Sequence, residues 1–421
     1  MRVTQRTQSC GLLLGCAAVT SFDSSPQLGA WRAVLALVVV LVMLATTGWT
    51  TLHGRGERGS ALRAALSAWE RGHLDGRPLP DPQVPPARLS QFFASLTAQQ
   101  QRLLVHRHPL AVGNMNGAPV SLRYLANRTA LGIAREQESQ RARDSRLSAA
   151  GQRDAERRMQ RYDALSRPGR QVLAFDPTGP GRVAEVLGDL ERAQRVSVVV
   201  PGVDTTLITF QRDDRAYSTP LGMARALHDA EREASPRTRT SVIAWADYRA
   251  PDGLGVEAAT AIRAESGAVR LNAMLRGLPG RGGIALYCHS YGSVLCGVAA
   301  PGLPSRVSDI AVAGSPGMRA DRVSQLRTHA RVWATRDGDD WIEDVPHLEL
   351  GSLGHGADPV SPAFGARLLS ARGADGHTGY FEPGTESLTN FAEIGVGAYQ
   401  GLRCADRDDS CRSGLSTGAA A

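Results

Sequence analysis

The sequence predicts an α/β protein with a doubly wound, mostly parallel sheet, and three observations support this class. From residue 171 onward, short aliphatic or β-branched runs alternate with helical segments, which is the pattern of strands joined by crossover helices. The later runs are apolar throughout, as expected for parallel strands that are buried on both faces. A chain of 421 residues with 42% hydrophobic residues is ample for a large core.

Seven apolar runs are candidate strands, and two helical segments among them supply crossover connections. The strands are expected at 172–175, 183–186, 196–200, 241–245, 284–288, 309–313 and 331–334, and the helices at 221–234 and 255–278. Together they predict an α/β domain over 171–403, followed by a C-terminal tail at 404–421.

The residues before this domain divide by composition into four segments. We expect an N-terminal tail at 1–32, a transmembrane helix or signal anchor at 33–52, a semi-rigid proline-rich spacer at 53–88, and a helical lead-in at 89–170. Within the lead-in, apolar spacing predicts one helix over 89–104. A second, charged and solvated helix is expected over 120–165.

The stretch 33–50 contains no charged residue and is long enough to cross a bilayer. Trp31 and Trp49 at its ends suit the membrane interfaces. We therefore expect a single-pass membrane protein. A cleaved signal peptide is the rival interpretation, although no A-x-A cleavage site follows the run. Arginines flank both sides of the stretch, so the positive charges do not determine its orientation.

The six cysteines form three pairs by position, one of them in the N-terminal tail. Cys404 and Cys411 close a short polar loop and are the pair expected to form a disulfide. Such a bridge favours an extracytoplasmic location for the α/β domain. Cys288 and Cys296 are interpreted as separate buried apolar residues.

All 48 basic residues are arginines, and they are spread along the chain among 41 acids, for a formal net charge of +7. This distribution predicts a solvated surface rather than a nucleic-acid-binding patch. The sequence contains no recognisable metal-ligand cluster, phosphate-binding glycine loop or nucleic-acid motif. We therefore expect no cofactor, no metal and no nucleic-acid partner, and we make no prediction of oligomeric state.

One serine stands where a predicted strand turns sharply into a helix. Ser290 follows the apolar run 283–287 and precedes a segment of small residues. This order predicts a nucleophile elbow, whose usual pattern is G-x-S-x-G because strand and helix nearly touch around the serine. Gly292 fits the pattern, whereas Cys288 takes the first glycine position. We interpret Cys288 as a tolerated small residue and not as a second nucleophile.

A serine nucleophile needs a histidine base and a carboxylate that orients it, and in this architecture the acid precedes the histidine along the chain. Asp340, in the loop after the last predicted strand, is the preferred acid, followed by Asp337 and then Asp339. His377, in a glycine-flanked loop before a final helix, is the preferred base, and His355 is the rival.

Two backbone amides are candidates for an oxyanion hole. The amide of Tyr291 begins the helix after Ser290, where the helix dipole also favours negative charge. The amide of Val203 follows Gly202 in the loop after the run 196–200, and glycine allows a close backbone approach.

Several segments together resemble the α/β-hydrolase family that was long catalogued as a domain of unknown function and is common in actinobacteria. They are VVVPGVDTTL, IAWADYRAP, the elbow HSYG, AVAGSPG, GHGADPVSPAFGARL and GHTGYFEPGTESLTNFAEI. The resemblance runs from about residue 89 to residue 400 and departs from the family at Cys288. It implies the α/β-hydrolase fold and a serine hydrolase whose triad is the one selected above, but no established substrate.

The leading interpretation is a membrane-anchored serine esterase or lipase-like enzyme. It would cleave a carboxylic ester of a small molecule or lipid through an acyl-enzyme. Two alternatives are an acyltransferase of the cell envelope with the same triad, and an inert scaffold that binds a ligand or partner. The sequence does not predict the acyl chain or the headgroup of the substrate.

Overall fold

The computed structural model describes residues 60–351, 353–405 and 409–415. The expected membrane span at 33–50 lies outside these residues, and so does the cysteine pair of the N-terminal tail. Across the described ranges, every helix is too short or too polar to cross a bilayer.

Helices dominate the chain before the main sheet. The elements are α1 (Ala61–Glu70), a hairpin of β1 (His73–Leu74) and β2 (Arg77–Pro78), α2 (Pro86–Ala94), α3 (Ala98–Arg107), α4 (Pro109–Gly113), α5 (Val120–Ala142) and α6 (Ala149–Leu165). The expected helical lead-in is therefore present, although the helices have different bounds.

The expectation of a proline-rich spacer is wrong for the described residues 60–88, because they pack into a small core with α2 to α5. Trp69 is fully buried, and its indole nitrogen donates a hydrogen bond to the Pro80 carbonyl at 2.7 Å. Pro86 occupies the first turn of α2, where a missing N–H costs nothing. The prolines therefore delimit short elements instead of forming an extended linker.

Helix caps explain why each of the two predicted helices is divided. Thr97 caps the start of α3 with a capping box. The Thr97 hydroxyl accepts a hydrogen bond from the backbone amide of Gln100, and the Gln100 side chain accepts one from the backbone amide of Thr97. Ser148 caps α6 in the same way by accepting from the Gly151 amide. Each break depends on a single capping residue, which a reading of apolar periodicity does not detect.

All seven predicted strands belong to one eight-stranded sheet, whose order is β12-β9-β8-β7-β5-β6-β4-β3. They are β3 (Gln171–Asp176), β4 (Arg182–Gly188), β5 (Arg195–Val200), β6 (Thr240–Ala246), β7 (Gly283–His289), β8 (Val307–Ala313) and β9 (Arg331–Thr335). Only β4 pairs antiparallel, with β3 on one side and β6 on the other. The mostly parallel sheet is thus confirmed. Two short strands, β10 (Glu349–Leu350) and β11 (Leu353–Gly354), form a separate antiparallel hairpin. The eighth strand of the main sheet, β12 (Arg367–Leu368), has two residues and carries no detectable pattern.

Helices cover both faces of the sheet. The later helices are α7 (Pro220–Ala234), α8 (Ile262–Gly277), α9 (Tyr291–Ala299) and α10 (Glu386–Val396). Alternate residues of β7 enter two different cores, Leu286 packing with α8 and α9, and Tyr287 with α7 and α10. This two-sided burial explains why the central strands are apolar at every position. The loops that follow β5, β7 and β9 therefore meet at one edge of the sheet.

Candidate active site

Ser290 lies in the turn between β7 and α9 with φ 55° and ψ −131°. A non-glycine residue at positive φ is strained, and such strain is characteristic of a nucleophile elbow. Two glycines allow the close approach that this turn needs. A Cβ added at Gly292 would lie 2.3 Å from the Val200 carbonyl oxygen. A Cβ added at Gly202 would lie 2.6 Å from the Cβ of Ser290.

Cys288 and Cys296 form a disulfide that joins β7 to α9 around the elbow. The expectation that they are separate apolar residues is therefore wrong. The reason is geometric, because the chain reverses at Ser290 and the helix packs back onto the strand, which brings the two Cα atoms to 6.5 Å. The expected bridge between Cys404 and Cys411 is present as well.

His377 contacts both of the groups that a catalytic base would need. Its Nε2 lies 2.9 Å from the Ser290 Oγ, and its Nδ1 lies 2.8 Å from the Asp340 Oδ1. The three side chains come from loops that follow β7, β9 and β12, so residues 87 and 37 positions apart become neighbours. The arrangement allows a proton to move from Ser290 to the imidazole while a carboxylate faces the other ring nitrogen.

Asp340 is almost fully buried, with 2% of its surface exposed. Burial alone would raise the pKa of Asp340, but hydrogen bonds from His377, the Tyr380 hydroxyl and the Ile342 amide lower this pKa below its usual value. The carboxylate is therefore ionised at neutral pH. A fixed negative charge at this position favours the protonated form of His377 during a proton transfer.

The other candidate residues have different surroundings. Asp337 accepts hydrogen bonds from the Gly376 amide at 3.0 Å and from the Asp339 amide at 3.2 Å, so it braces the loop that carries the preferred histidine. The imidazole of His355 makes a 2.7 Å hydrogen bond through Nε2 to the Ala258 carbonyl. Neither residue lies in the group formed by serine, histidine and Asp340.

Two aromatic residues and a second histidine support His377, and the sequence reasoning missed them. His289 donates from Nε2 to the His377 carbonyl at 2.6 Å. Burial, and then repulsion from His377, lowers the pKa of His289 to about 4, so this donor is neutral at pH 7. The ring centroids of Trp341 and His377 lie 4.6 Å apart. The Tyr380 hydroxyl donates a hydrogen bond to the Asp340 carboxylate. His289 and Tyr380 stand inside the quoted motifs, but nothing in a single sequence separates their roles from packing.

The expected oxyanion donors flank the serine. Tyr291 is the first residue of α9, and the first amides of a helix have no acceptor within it. Val203 follows Gly202, whose backbone touches Ser290. The loop that carries Val203 is held by the Tyr248 hydroxyl, which donates to the Pro201 carbonyl at 2.7 Å. An oxyanion hole requires backbone amides that lie next to the nucleophile in this way.

A cleft of about 220 Å³ opens above Ser290 and His377. Threonine and serine residues and two arginines line it together with apolar residues such as Val203 and Met223, and polar and apolar atoms contribute about equally to its wall. Within the described ranges, no cluster of three or more histidine, cysteine or acidic side chains is arranged to hold a metal ion. The cleft gives a bound molecule access to Ser290 and His377.

Comparison with known proteins gives a family match over part of the chain. Residues 176–350 match the model of a family described as Alpha/beta hydrolase. The matched range includes Ser290 and Asp340 but ends before His377. It agrees with the family resemblance of the sequence motifs and with the mostly parallel sheet.

The chain is also similar to two proteins in sequence and to several solved structures in fold. Two uncharacterized proteins from two strains of Mycobacterium tuberculosis are each 26% identical to this chain over an alignment that covers 76% of it. The chain spans 57% of the length of these relatives. Dienelactone hydrolase from Anabaena variabilis is 16% identical, with coverage of 53% of this chain and 92% of that one and a TM-score of 0.31. A protein from Thermoplasma acidophilum described as a predicted CIB-like hydrolase is 15% identical, with coverage of 56% of this chain and 99% of that one and a TM-score of 0.33.

Proposed function

We propose that this protein is a serine hydrolase that cleaves carboxylic esters through an acyl-enzyme. In this proposal Ser290 is the nucleophile, His377 the general base and acid, and Asp340 the residue that orients the imidazole. The observation that carries the proposal is the continuous hydrogen-bonded series from the Ser290 Oγ through both ring nitrogens of His377 to the Asp340 carboxylate. The strained backbone of Ser290 supports it independently.

The proposed reaction has two half-reactions. In the first, the Ser290 Oγ attacks the ester carbonyl carbon while His377 Nε2 takes the hydroxyl proton. The amides of Val203 and Tyr291 would stabilise the resulting oxyanion. Collapse of this intermediate breaks the bond to the alcohol, which leaves with the proton from His377. In the second, water attacks the acyl-enzyme, gives its proton to His377 and releases the acid, and the serine regains its proton.

A fluorophosphonate probe tests whether Ser290 is an activated nucleophile. We expect the wild-type protein to be labelled within minutes, because the imidazole removes the serine proton as the phosphorus is attacked. Heat-denatured protein and the variant Ser290→Ala should remain unlabelled in the same gel. Labelling that persists in Ser290→Ala would show that another residue is the nucleophile. No labelling of the folded wild type would favour the scaffold alternative.

Addition of alcohols to an ester assay distinguishes hydrolysis from acyl transfer. A hydrolase releases acid at a rate that glycerol changes little, whereas an acyltransferase forms the new ester as its main product. Product analysis by mass spectrometry separates these two outcomes. The proposal of a hydrolase predicts free acid as the main product at millimolar glycerol.

We further propose that the uncharged stretch 33–50 anchors the protein in a membrane. Deletion of residues 1–52 should convert a membrane-bound protein into a soluble one with unchanged specific activity. The measurement is fractionation of cells that express each form, with a carbonate wash of the membranes. Release of the full-length protein by the wash, or a shortened mature protein in the medium, would instead favour a cleaved signal. Protease added to intact cells would report the side on which the α/β domain lies.

A further inference from the structure

A second groove, which we call the arginine groove, lies between α6 and the loop that follows β5. Its volume is about 460 Å³, roughly twice that of the cleft above Ser290. Its charged lining residues are four arginines, Arg157, Arg161, Arg167 and Arg212, and one carboxylate, Asp213. The local charge of its wall is therefore strongly positive, although the arginines of the whole chain are dispersed.

Two of these arginines form no ion pair among the residues that the structure describes. Arg161 donates to the carbonyl oxygens of Ile208 and Gln211, and its Nε is buried without a hydrogen-bond partner. Arg167 is exposed near the carboxyl end of α6. The Arg167 guanidinium, which lacks a carboxylate partner, can bind an oxyanion through two parallel N–H groups, whereas one terminal nitrogen of Arg161 already donates to two carbonyl oxygens.

The other two arginines are paired only at the surface. Arg157 contacts Asp154 at 3.1 Å, and Arg212 contacts Asp214. Water solvates both exposed pairs and weakens them, although the contact between Arg212 and Asp214 is bidentate and is the stronger of the two. A ligand with several anionic oxygens could therefore replace these contacts at small cost.

The arginine groove adjoins the proposed active site. Thr209 and Arg212 line both the groove and the cleft above Ser290. Arg215 contributes a further guanidinium to the wall of the cleft. The acidic residue of that wall, Asp204, has its carboxylate engaged by the Gly253 amide at 2.7 Å. A substrate whose ester lies at Ser290 would thus reach the groove with a neighbouring charged group.

We propose that the arginine groove binds a phosphate group carried by the ester substrate. This inference rests on the proposed function and adds the chemical class of the substrate. Phosphate matches the site better than a carboxylate, because it carries up to two negative charges and three acceptor oxygens that several guanidinium groups can share. A single carboxylate has only two acceptor oxygens, which one guanidinium is enough to satisfy.

A pair of matched esters tests the inference. Dihexanoyl phosphatidic acid and dihexanoylglycerol have the same acyl chains and differ only in the phosphate. The assay measures release of hexanoic acid at concentrations below those at which either ester aggregates. We expect the wild-type kcat/KM to be at least about tenfold higher for the phosphate ester, since tenfold corresponds to about 1.4 kcal/mol and charged hydrogen bonds reach this value. Equal kcat/KM values for both esters would overturn the inference.

Two variants with the same change of charge locate the effect. Arg167→Gln removes an unpaired guanidinium from the groove, and the ratio of the two kcat/KM values should fall about tenfold. Arg153→Gln is the matched control, because Arg153 is exposed on α6, the helix that ends just before Arg167, and does not line either cavity. Its ratio should equal that of the wild type. An unchanged ratio in Arg167→Gln, or an equal fall in Arg153→Gln, would contradict a specific site.

Inorganic phosphate distinguishes a substrate subsite from a separate site for free phosphate. As a subsite ligand it should inhibit turnover of the phosphate ester competitively and leave dihexanoylglycerol turnover unchanged. A similar effect on both esters would contradict the subsite. Failure of the proposed function gives a different result, since neither ester would then show turnover that depends on Ser290.

Discussion

Replacement of Ser290 by alanine is expected to lower kcat for a short p-nitrophenyl ester by about four to six orders of magnitude. The reason is that the hydroxyl is the only group that can form the acyl-enzyme at the elbow. Its contribution to packing is small, so the melting temperature should stay within about 2 °C of the wild type. Ester hydrolysis and thermal unfolding of purified Ser290→Ala measure the two effects separately.

The matched control is Ser266→Ala, which removes a serine hydroxyl from the surface of α8, where it donates only to the Arg263 carbonyl. This variant should keep wild-type activity. If Ser290→Ala hydrolysed the ester at the wild-type rate, the elbow serine would not be the nucleophile. If both serine variants lost activity together with their fold, the loss would not report on chemistry.

His377→Ala should be as damaging as Ser290→Ala, because only the His377 imidazole bridges the serine and the carboxylate. His355→Ala should keep substantial turnover. It will lower the melting temperature, since it leaves the Ala258 carbonyl without its hydrogen bond. Steady-state kinetics below the melting temperature of each variant compare the two losses.

The double variant Ser290→Ala/His377→Ala provides a further check. Residues that act as one unit give losses that do not add, so the double variant should be no slower than either single variant. Losses that multiply would show independent roles. If His377→Ala kept wild-type activity and His355→Ala lost it, His355 and not His377 would be the catalytic base.

Much of the sheet could be predicted because burial imposes a pattern on the residues. Strands covered by helices on both faces must be apolar at each position, and such runs stand out in a sequence. The strand β12 has two residues, and the division of the lead-in helices depends on single capping residues. Features of this size fall below what periodicity can detect.

The sequence by itself determined the fold class, the order of the central strands along the chain, and a short set of candidate site residues. The tertiary structure alone decided which members of that set come together, because Ser290, Asp340 and His377 meet only when loops after three different strands converge. It also decided that Cys288 pairs with Cys296, that residues 60–88 join a core, and that four arginines line one groove. The physical reason is that local pattern reports the burial of each residue, whereas partners distant in sequence are chosen by the packing of whole elements.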